Sequence, residues 1–243
     1  IAFIFNVIHQ QLLESNFIGP NGMEDYAKIL GAPFMGELLL GHLRYATHSS
    51  NGMSYCHPFL RENNRMSKNL VLAGNFNLTN NDELFQKLIE LGQHPLNHTD
   101  TVTVMEKIGH YLDKNVDALY ETLIHEGYSA QHTQNLISKE LDVAEILKKS
   151  AKQFDGGYVM AGLIGHGDAF VLRDPNGIRP AYYYYDDEVV VVASERPAIQ
   201  TTFNVPFEKI HEVKPGHALV VKKDGRVKHD LVREPGEKKS CSF

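Results

Sequence analysis

Four short polar segments interrupt otherwise apolar stretches, and each carries groups suited to handling a small charged molecule. Gly41-His42-Leu43-Arg44-Tyr45-Ala46-Thr47 sets an arginine in an apolar run, where its fork of donors could clamp a carboxylate bidentately. Ala73-Gly74-Asn75-Phe76-Asn77-Leu78-Thr79-Asn80 offers an Asn carboxamide beside successive backbone N–H groups at a strand-to-helix turn, a suitable cradle for an oxyanion. Asn97-His98-Thr99-Asp100-Thr101 brings a carboxylate to a helix start, where it could accept an ammonium. Arg173-Asp174-Pro175-Asn176-Gly177-Ile178-Arg179-Pro180 holds the turn-forming pairs Asp-Pro and Asn-Gly between two arginines that are expensive to bury without partners. Each also has a structural explanation: a salt bridge for Arg44, capping and turn chemistry for the Asn-rich segment, a dipole partner for Asp100. Arg173, Asp174 and Arg179 read as a structural corner. Taken together, an arginine, an aspartate and an oxyanion cradle describe recognition of a free amino acid whose side-chain carbonyl is attacked.

These segments need rigid edges, and the apolar periodicity supplies them. Residues 35–47 and 69–78 read as buried strands. After Asn80, a candidate N-cap with Glu83 three residues on, Leu84, Leu88 and Leu91 fall at helical spacing. A second helix is predicted from about Asp100 through Met105, Ile108 and Leu112, with a break before Leu119 and Leu123. A third runs from about Thr133 through Leu136, Leu141, Leu147 and Phe154, stopped by Gly156-Gly157. Strands follow at 158–163, 169–173, 181–185 and 189–193, then a hairpin over 218–227 with a type I′ turn at Asp224-Gly225. Strands, then consecutive helices, then strands do not make alternating βαβ units. The order predicts two antiparallel sheets packed together with helices outside them.

Composition narrows the function. With 24 Lys and Arg against 30 Asp and Glu, a net charge of -6 and no basic stripe interleaved with aromatics, nucleic acid is excluded as the expected partner. No apolar run approaches the roughly 20 residues of a membrane span. The two cysteines, Cys56 and Cys241, lie far apart without zinc-type spacing, which points to a reducing, cytoplasmic setting. His94 and His98 are separated by Pro95 in a loop and read as exposed rather than metal-binding. GxxxxGK[ST], GxGxxG after a strand, HExxH and GxSxG are all absent, which removes nucleotide-loop, zincin and hydrolase-elbow chemistry.

In this order and at these separations the segments resemble the class II glutamine amidotransferase domain, from about Met35 onward. GHLRYAT resembles the family's GH-x-RY/W-x-T strand, LAGNFNLTN its HNGNLTN turn, and HTD its (S/T)D helix start. RDPNGIRP, with VVASER and VKPGHALVV, matches the family's last third. Sugar-phosphate transaminase relatives share Ala46-Thr47-His48 but lack RDPNGIRP, so the similarity is greatest to members joined to a phosphoribosyltransferase half. Ser240-Cys241-Ser242-Phe243 resembles the CxFE that opens the link to that half.

The resemblance implies an α+β fold, the four-layer αββα sandwich of N-terminal-nucleophile hydrolases, in agreement with the two-sheet reading. It implies that Arg44 holds the glutamine α-carboxylate with Thr47 assisting, that Asp100 holds the α-ammonium, and that the Asn75 side chain and Phe76 N–H form the oxyanion hole. An N-terminal Cys, its α-amine acting as base, would attack the amide and form a thioester that water releases as glutamate. Ammonia would pass to a downstream phosphoribosyltransferase domain in purine biosynthesis. No metal or cofactor is implied for this domain; Mg²⁺ with phosphoribosyl pyrophosphate is expected in the downstream one. A homo-oligomer, with neither nucleic acid nor membrane as partner, completes the expectation.

This sequence departs from the pattern in two ways. No Cys stands at the N-terminus, and neither Cys56 nor Cys241 has a Cys-Gly-[Ile/Val] context, so the nucleophile is absent and the fragment alone is expected to be inactive. Residues 1–34 match nothing in the family, and the first strands of the sandwich are expected to be missing from a domain spanning 35–243. A catalytically dead, amino-acid-binding or regulatory fold is the alternative. Second, Gly74-Asn75-Phe76 stands where the family reads His-Asn-Gly, so the backbone donor requires an ordinary φ at Phe76. Asp186-Asp187 does not supply a pyrophosphate loop, because Glu188 and a valine strand follow.

Overall fold

Apolar residues alternate along the later strands, and each face meets its own partner layer. The computed structural model describes residues 2–6, 36–43, 56–95 and 97–239; Arg44, Thr47 and Cys241 lie outside them. Among the described residues the chain runs β1 (Ala2–Asn6), β2 (Leu38–Gly41), β3 (Phe59–Arg61), β4 (Leu70–Leu78), α1 (Asn81–Glu90), α2 (Asp100–His125), α3 (Ala130–Glu140) and α4 (Val143–Ala151). It continues with β5 (Gly156–Ile164), β6 (Ala169–Arg173), β7 (Tyr182–Tyr185), β8 (Val189–Ala193), α5 (Arg196–Phe203), β9 (His211–Glu212), β10 (His217–Val221) and β11 (Val227–Leu231). One sheet has the order β2-β1-β8-β7-β9 and the other β11-β10-β6-β5-β4-β3. Every neighbouring pair is antiparallel.

Three apolar clusters define the stacking. Tyr158, Met160, Phe170, Leu172 and Val220 face a helical layer that presents Leu84, Ile108, Leu112, Ile137 and Leu147. The alternate residues Val159, Ala161, Val171 and Leu219 pack with Val190 and Val192 of the other sheet. Val191 and Ala193, on the far side of β8, meet Ile199 of α5. Period-two alternation in β5, β6, β8 and β10 thus builds three interfaces between four layers, helices outside and sheets inside. The opening residues, to which the sequence reading gives no role, are a working part of this frame: β1 sits between β2 and β8.

Several elements differ from expectation for identifiable reasons. No break interrupts α2, because Val116 and Leu123 continue the buried stripe of Ile108 and Leu112 at helical spacing. The predicted third helix is two, divided at Leu141-Asp142, where Asp142 Oδ1 accepts from the Glu145 N–H at 3.0 Å and starts α4. Asn80 precedes α1 without capping it; its side chain instead donates to the Gln153 carbonyl and accepts from the Asp155 N–H. The β10–β11 turn is not type I′, which requires two positive φ values: only Gly225 is left-handed, at φ 84°. A Lys222-to-Gly225 turn closed by Gly225 N–H to Lys222 O at 2.8 Å, followed by that Gly, is the three-residue alternative.

The short strand β3 is tied to α2 by charge. Arg61 grips Asp113 through both Nη atoms, at 2.6 and 3.2 Å, and reaches Glu106 through Nε at 3.2 Å. Gly109 makes the path possible, since a Cβ there would come within 2.4 Å of Arg61 Nε. Arg65 and Lys68 both meet Asp117, at 2.8 and 2.7 Å. These contacts fix the end of β3 and the turn after it against the middle of α2.

Candidate functional site

Strand β4 carries the proposed oxyanion cradle along its free margin. β3 pairs only with Leu70–Leu72 of β4, so among the described residues no strand covers positions 73–78 on that side. Phe76 lies opposite Tyr158 in β5. The Tyr158 main chain is committed to the other direction: its carbonyl accepts from Asp174 N–H at 2.8 Å and its N–H donates to Asp174 Oδ2 at 3.3 Å. Phe76 and Tyr158 therefore face each other as a pair without ladder hydrogen bonds, and the Phe76 N–H points away from β5. Gly74, two residues earlier and so of the same orientation, donates its N–H to His57 Nδ1 at 3.1 Å on that open side.

Phe76 satisfies the condition on its backbone. Asn204 is the only non-glycine with positive φ among the described residues, so Phe76 is ordinary extended chain. Gly74 and Phe76 project to the same face, and a Cβ on Gly74 would lie 2.1 Å from Phe76 Cε1. The ring thus fills the space above the glycine. Asn75, between them, projects to the opposite face and is exposed.

The start of α2 comes to the same place. Thr99 is the N-cap, accepting from the Val102 N–H at 3.3 Å, and Asp100 begins the helix half-buried, with Oδ1 accepting from the Thr101 N–H at 2.8 Å. The buried Thr101 hydroxyl lies 3.1 Å from His57 Nε2. Because His57 Nδ1 accepts from Gly74, the neutral ring carries its proton on Nε2 and donates to Thr101 Oγ1. The imidazole also lies tilted against His42, just past β2, at 4.6 Å between centroids, edge-on to Phe59 at 5.2 Å and tilted to Phe76 at 6.0 Å. The end of β2, the open margin of β4 and the start of α2 therefore meet around His57. Arg44 and Thr47, which follow His42 in sequence, fall outside the described residues. Sequence reasoning overlooked His57; a His in a Cys-His-Pro-Phe run gives no local sign of bridging residues 17 and 44 positions away.

Arg173, Asp174 and Arg179 stand behind this site, not in it. The fully buried Asp174 carboxylate accepts from four N–H groups: Asn176 and Ile178 on Oδ1, Tyr158 and Arg179 on Oδ2. Arg173, 2% exposed, donates to the carbonyls of Arg179, Val213 and Gly177 and to Glu212. Gly177 turns the corner at φ 63°. Tyr158, held by this corner, is buried deeply enough that its hydroxyl is pushed up to about 12, against the pull of Arg233.

Two further features lie apart. Between α1 and α2 a pocket of about 220 Å³ is lined by Leu84, Leu88, Lys87, Lys107, Tyr111 and Gln153, among others. Near the other end of β5 and β6, the buried carboxylate of Asp168 bonds Lys222 Nζ and the Lys223 N–H and lies 3.0 Å from His166 Nε2. Burial acts to raise the Asp168 pKa, but the hydrogen bonds from His166 and Lys222 outweigh it and hold the carboxyl below its ordinary value.

Two facing antiparallel sheets between helical layers, with a strand margin and a helix start converging at one end, are the architecture of the N-terminal-nucleophile amidotransferases. Residues 18–235 match the family model of the class II glutamine amidotransferases, and the chain belongs to that family. The match begins before Met35, where the resemblance in the sequence starts. Within the family its relatives include the amidophosphoribosyltransferase of Pasteurella multocida, 30% identical over 198 residues, 79% of this chain and 34% of the relative. The Escherichia coli amidophosphoribosyltransferase is 29% identical over 201 residues, again 79% of this chain and 34% of the relative. The solved Bacillus subtilis glutamine phosphoribosylpyrophosphate amidotransferase, complexed with ADP and GMP, aligns at a TM-score of 0.60 and 26% identity, over 85% of this chain and 37% of that one. The chain thus spans about a third of the length of the curated relatives it matches.

Proposed function

We propose that this chain is the glutamine-handling domain of an amidophosphoribosyltransferase-like enzyme, serving release of ammonia from glutamine for transfer to phosphoribosyl pyrophosphate in purine biosynthesis. The supporting observation is the convergence around His57 of the end of β2, the Asn75-Phe76 margin and the Asp100 helix start. In this reading Arg44 clamps the α-carboxylate with Thr47 beside it, and Asp100 pairs with the α-ammonium. The Asn75 carboxamide and Phe76 N–H receive the oxygen of the attacked amide as it gains charge. Attack requires a Cys thiolate and a base to take its proton; ammonia leaves, and water then cleaves the thioester to glutamate. Residues 1–243 hold no Cys in the required context, so these residues alone bind glutamine and glutamate without hydrolysis. A phosphoribosyltransferase domain and its Mg²⁺-bound substrate lie outside them.

Isothermal titration of the 243-residue chain with glutamate, alongside an ammonia-release assay with glutamine, tests this. Saturable glutamate binding without ammonia is the expected result. Arg44→Lys keeps the charge but loses the fork, and affinity should fall about tenfold; unchanged affinity would refute the assignment. The second reading is a purely amino-acid-binding or regulatory member. The N-terminal sequence of the mature native protein separates the two: a terminal Cys means a working glutaminase, and any other terminus the binding module.

A further inference from the structure

We propose that His57 is a positioning residue that locks the oxyanion margin of β4 to the ammonium-binding start of α2. The inference rests on the glutamine reading above and extends it to a residue outside that set. His57 bonds not the proposed ligand-binding residues but their immediate neighbours: Gly74 precedes Asn75, and Thr101 follows Asp100. A single neutral imidazole accepting at Nδ1 and donating at Nε2 therefore sets the separation of two segments that lie 25 residues apart in sequence and share no ladder.

That separation matters because the two segments would hold opposite ends of one small molecule. The reacting carbonyl of glutamine and its α-ammonium are joined by a short flexible chain, so an error in spacing cannot be absorbed by moving one end alone. Misplacement of about 1 Å is enough to lose binding and rate heavily in preorganised sites. The Arg61 clamp to Glu106 and Asp113 carries the same logic further along α2, anchoring the strand that starts two residues after His57. On the free margin of β4 no strand beyond Leu72 does this work among the described residues, and His57 takes its place.

The alternative is that His57 merely packs against His42, Phe59 and Phe76. Two substitutions distinguish the roles. His57→Gln loses the ring but keeps an acceptor for Gly74 and a donor for Thr101. His57→Phe keeps an aromatic ring and loses both bonds. Glutamate affinity, measured by titration calorimetry on the 243-residue chain, should stay within about threefold in His57→Gln and fall about tenfold in His57→Phe. Thr101→Val, which removes only the hydroxyl, should weaken binding in the same direction as Phe. Phe binding as tightly as Gln, or Thr101→Val binding as wild type, would overturn the proposal. An Asp100→Asn control keeps the two levels apart: if wild type binds glutamate and Asp100→Asn does not, the glutamine reading stands whatever His57 does. If wild type fails to bind, or Asp100→Asn binds equally well, both fall together.

Discussion

Replacing Lys107 by Met should make the folded chain more stable at neutral pH and flatten its response to alkali. Lys107 is 6% exposed; its ammonium reaches Gln153 Oε1 at 3.2 Å and lies 5.5 Å from the centroid of the Phe154 ring. Among the described residues no carboxylate forms an ion pair with it. Burial, reinforced by the neighbouring charge of Lys87, lowers its pKa from 10.5 to about 8. The gap corresponds to about 3 kcal/mol against the charged form in the folded state. Between the two values the unfolded chain holds a proton that the folded chain has released, so stability rises with pH across that window. Below pH 8 the folded protein carries the buried ammonium and its full penalty. Met fills a similar volume without charge; it forfeits about 1 kcal/mol from the ring contact and the hydrogen bond to an exposed Gln153. Lys107→Met should therefore gain about 2 kcal/mol at pH 7, and the wild type should recover about 2 kcal/mol relative to it by pH 9.5. Urea unfolding followed by circular dichroism at several pH values, with both proteins side by side, cancels every other titrating group. Parallel stability curves for the two proteins across pH 7–9.5 would refute the reasoning.

Asp174→Asn replaces two of four acceptor positions by a donor facing N–H groups and should cost about 3 kcal/mol in urea unfolding. Asp168→Asn leaves the buried Lys222 without its anion, a loss of roughly 3–5 kcal/mol at neutral pH. Since the folded pKa of Asp168 is depressed, its contribution is present above the ordinary carboxylate range and lost as pH falls through the lowered value. The variant's unfolding curves should accordingly show a shallower acid dependence. Gly74→Ala must displace the Phe76 ring, about 1–3 kcal/mol of strain, and Phe76→Ala in the same chain should relieve it; strictly additive effects in the double-mutant cycle would argue against the packing described.

The fold was legible wherever period-two alternation or long helical stripes carried it. Val189–Ala193 and Ala169–Arg173 stand where expected, because burial on both faces leaves no freedom in strand type. Boundaries decided by one side chain were not: Asp142 splits a continuous apolar pattern by capping α4, and Asn80 turns its carboxamide to the Gln153–Asp155 loop instead of capping α1. The Asn75, Phe76 and Asp100 segments could be picked out by composition and resemblance, since each is polar chemistry at the end of an apolar element. His57 could not, because its role depends on partners at Gly74 and Thr101 that only the folded chain brings near.

The exchange at residues 74 and 76 follows from the same geometry. The family pattern His-Asn-Gly has its ring at the first position and its glycine at the third; this chain has glycine first and a phenyl ring third. Positions two apart share one face of a strand, and in this chain the Phe76 ring lies across the face it shares with Gly74 while Asn75 keeps the opposite one. What would have been lost is the N–H at the third position, had it required a left-handed φ, but Phe76 is extended and its N–H points toward the open margin with that of Gly74. The ring here stands two residues further along the pattern, and the His57 imidazole, from a different element, lies tilted against Phe76 at 6.0 Å. A departure that looks disabling in sequence thus preserves the backbone donor and the side-chain alternation on which the proposed cradle depends.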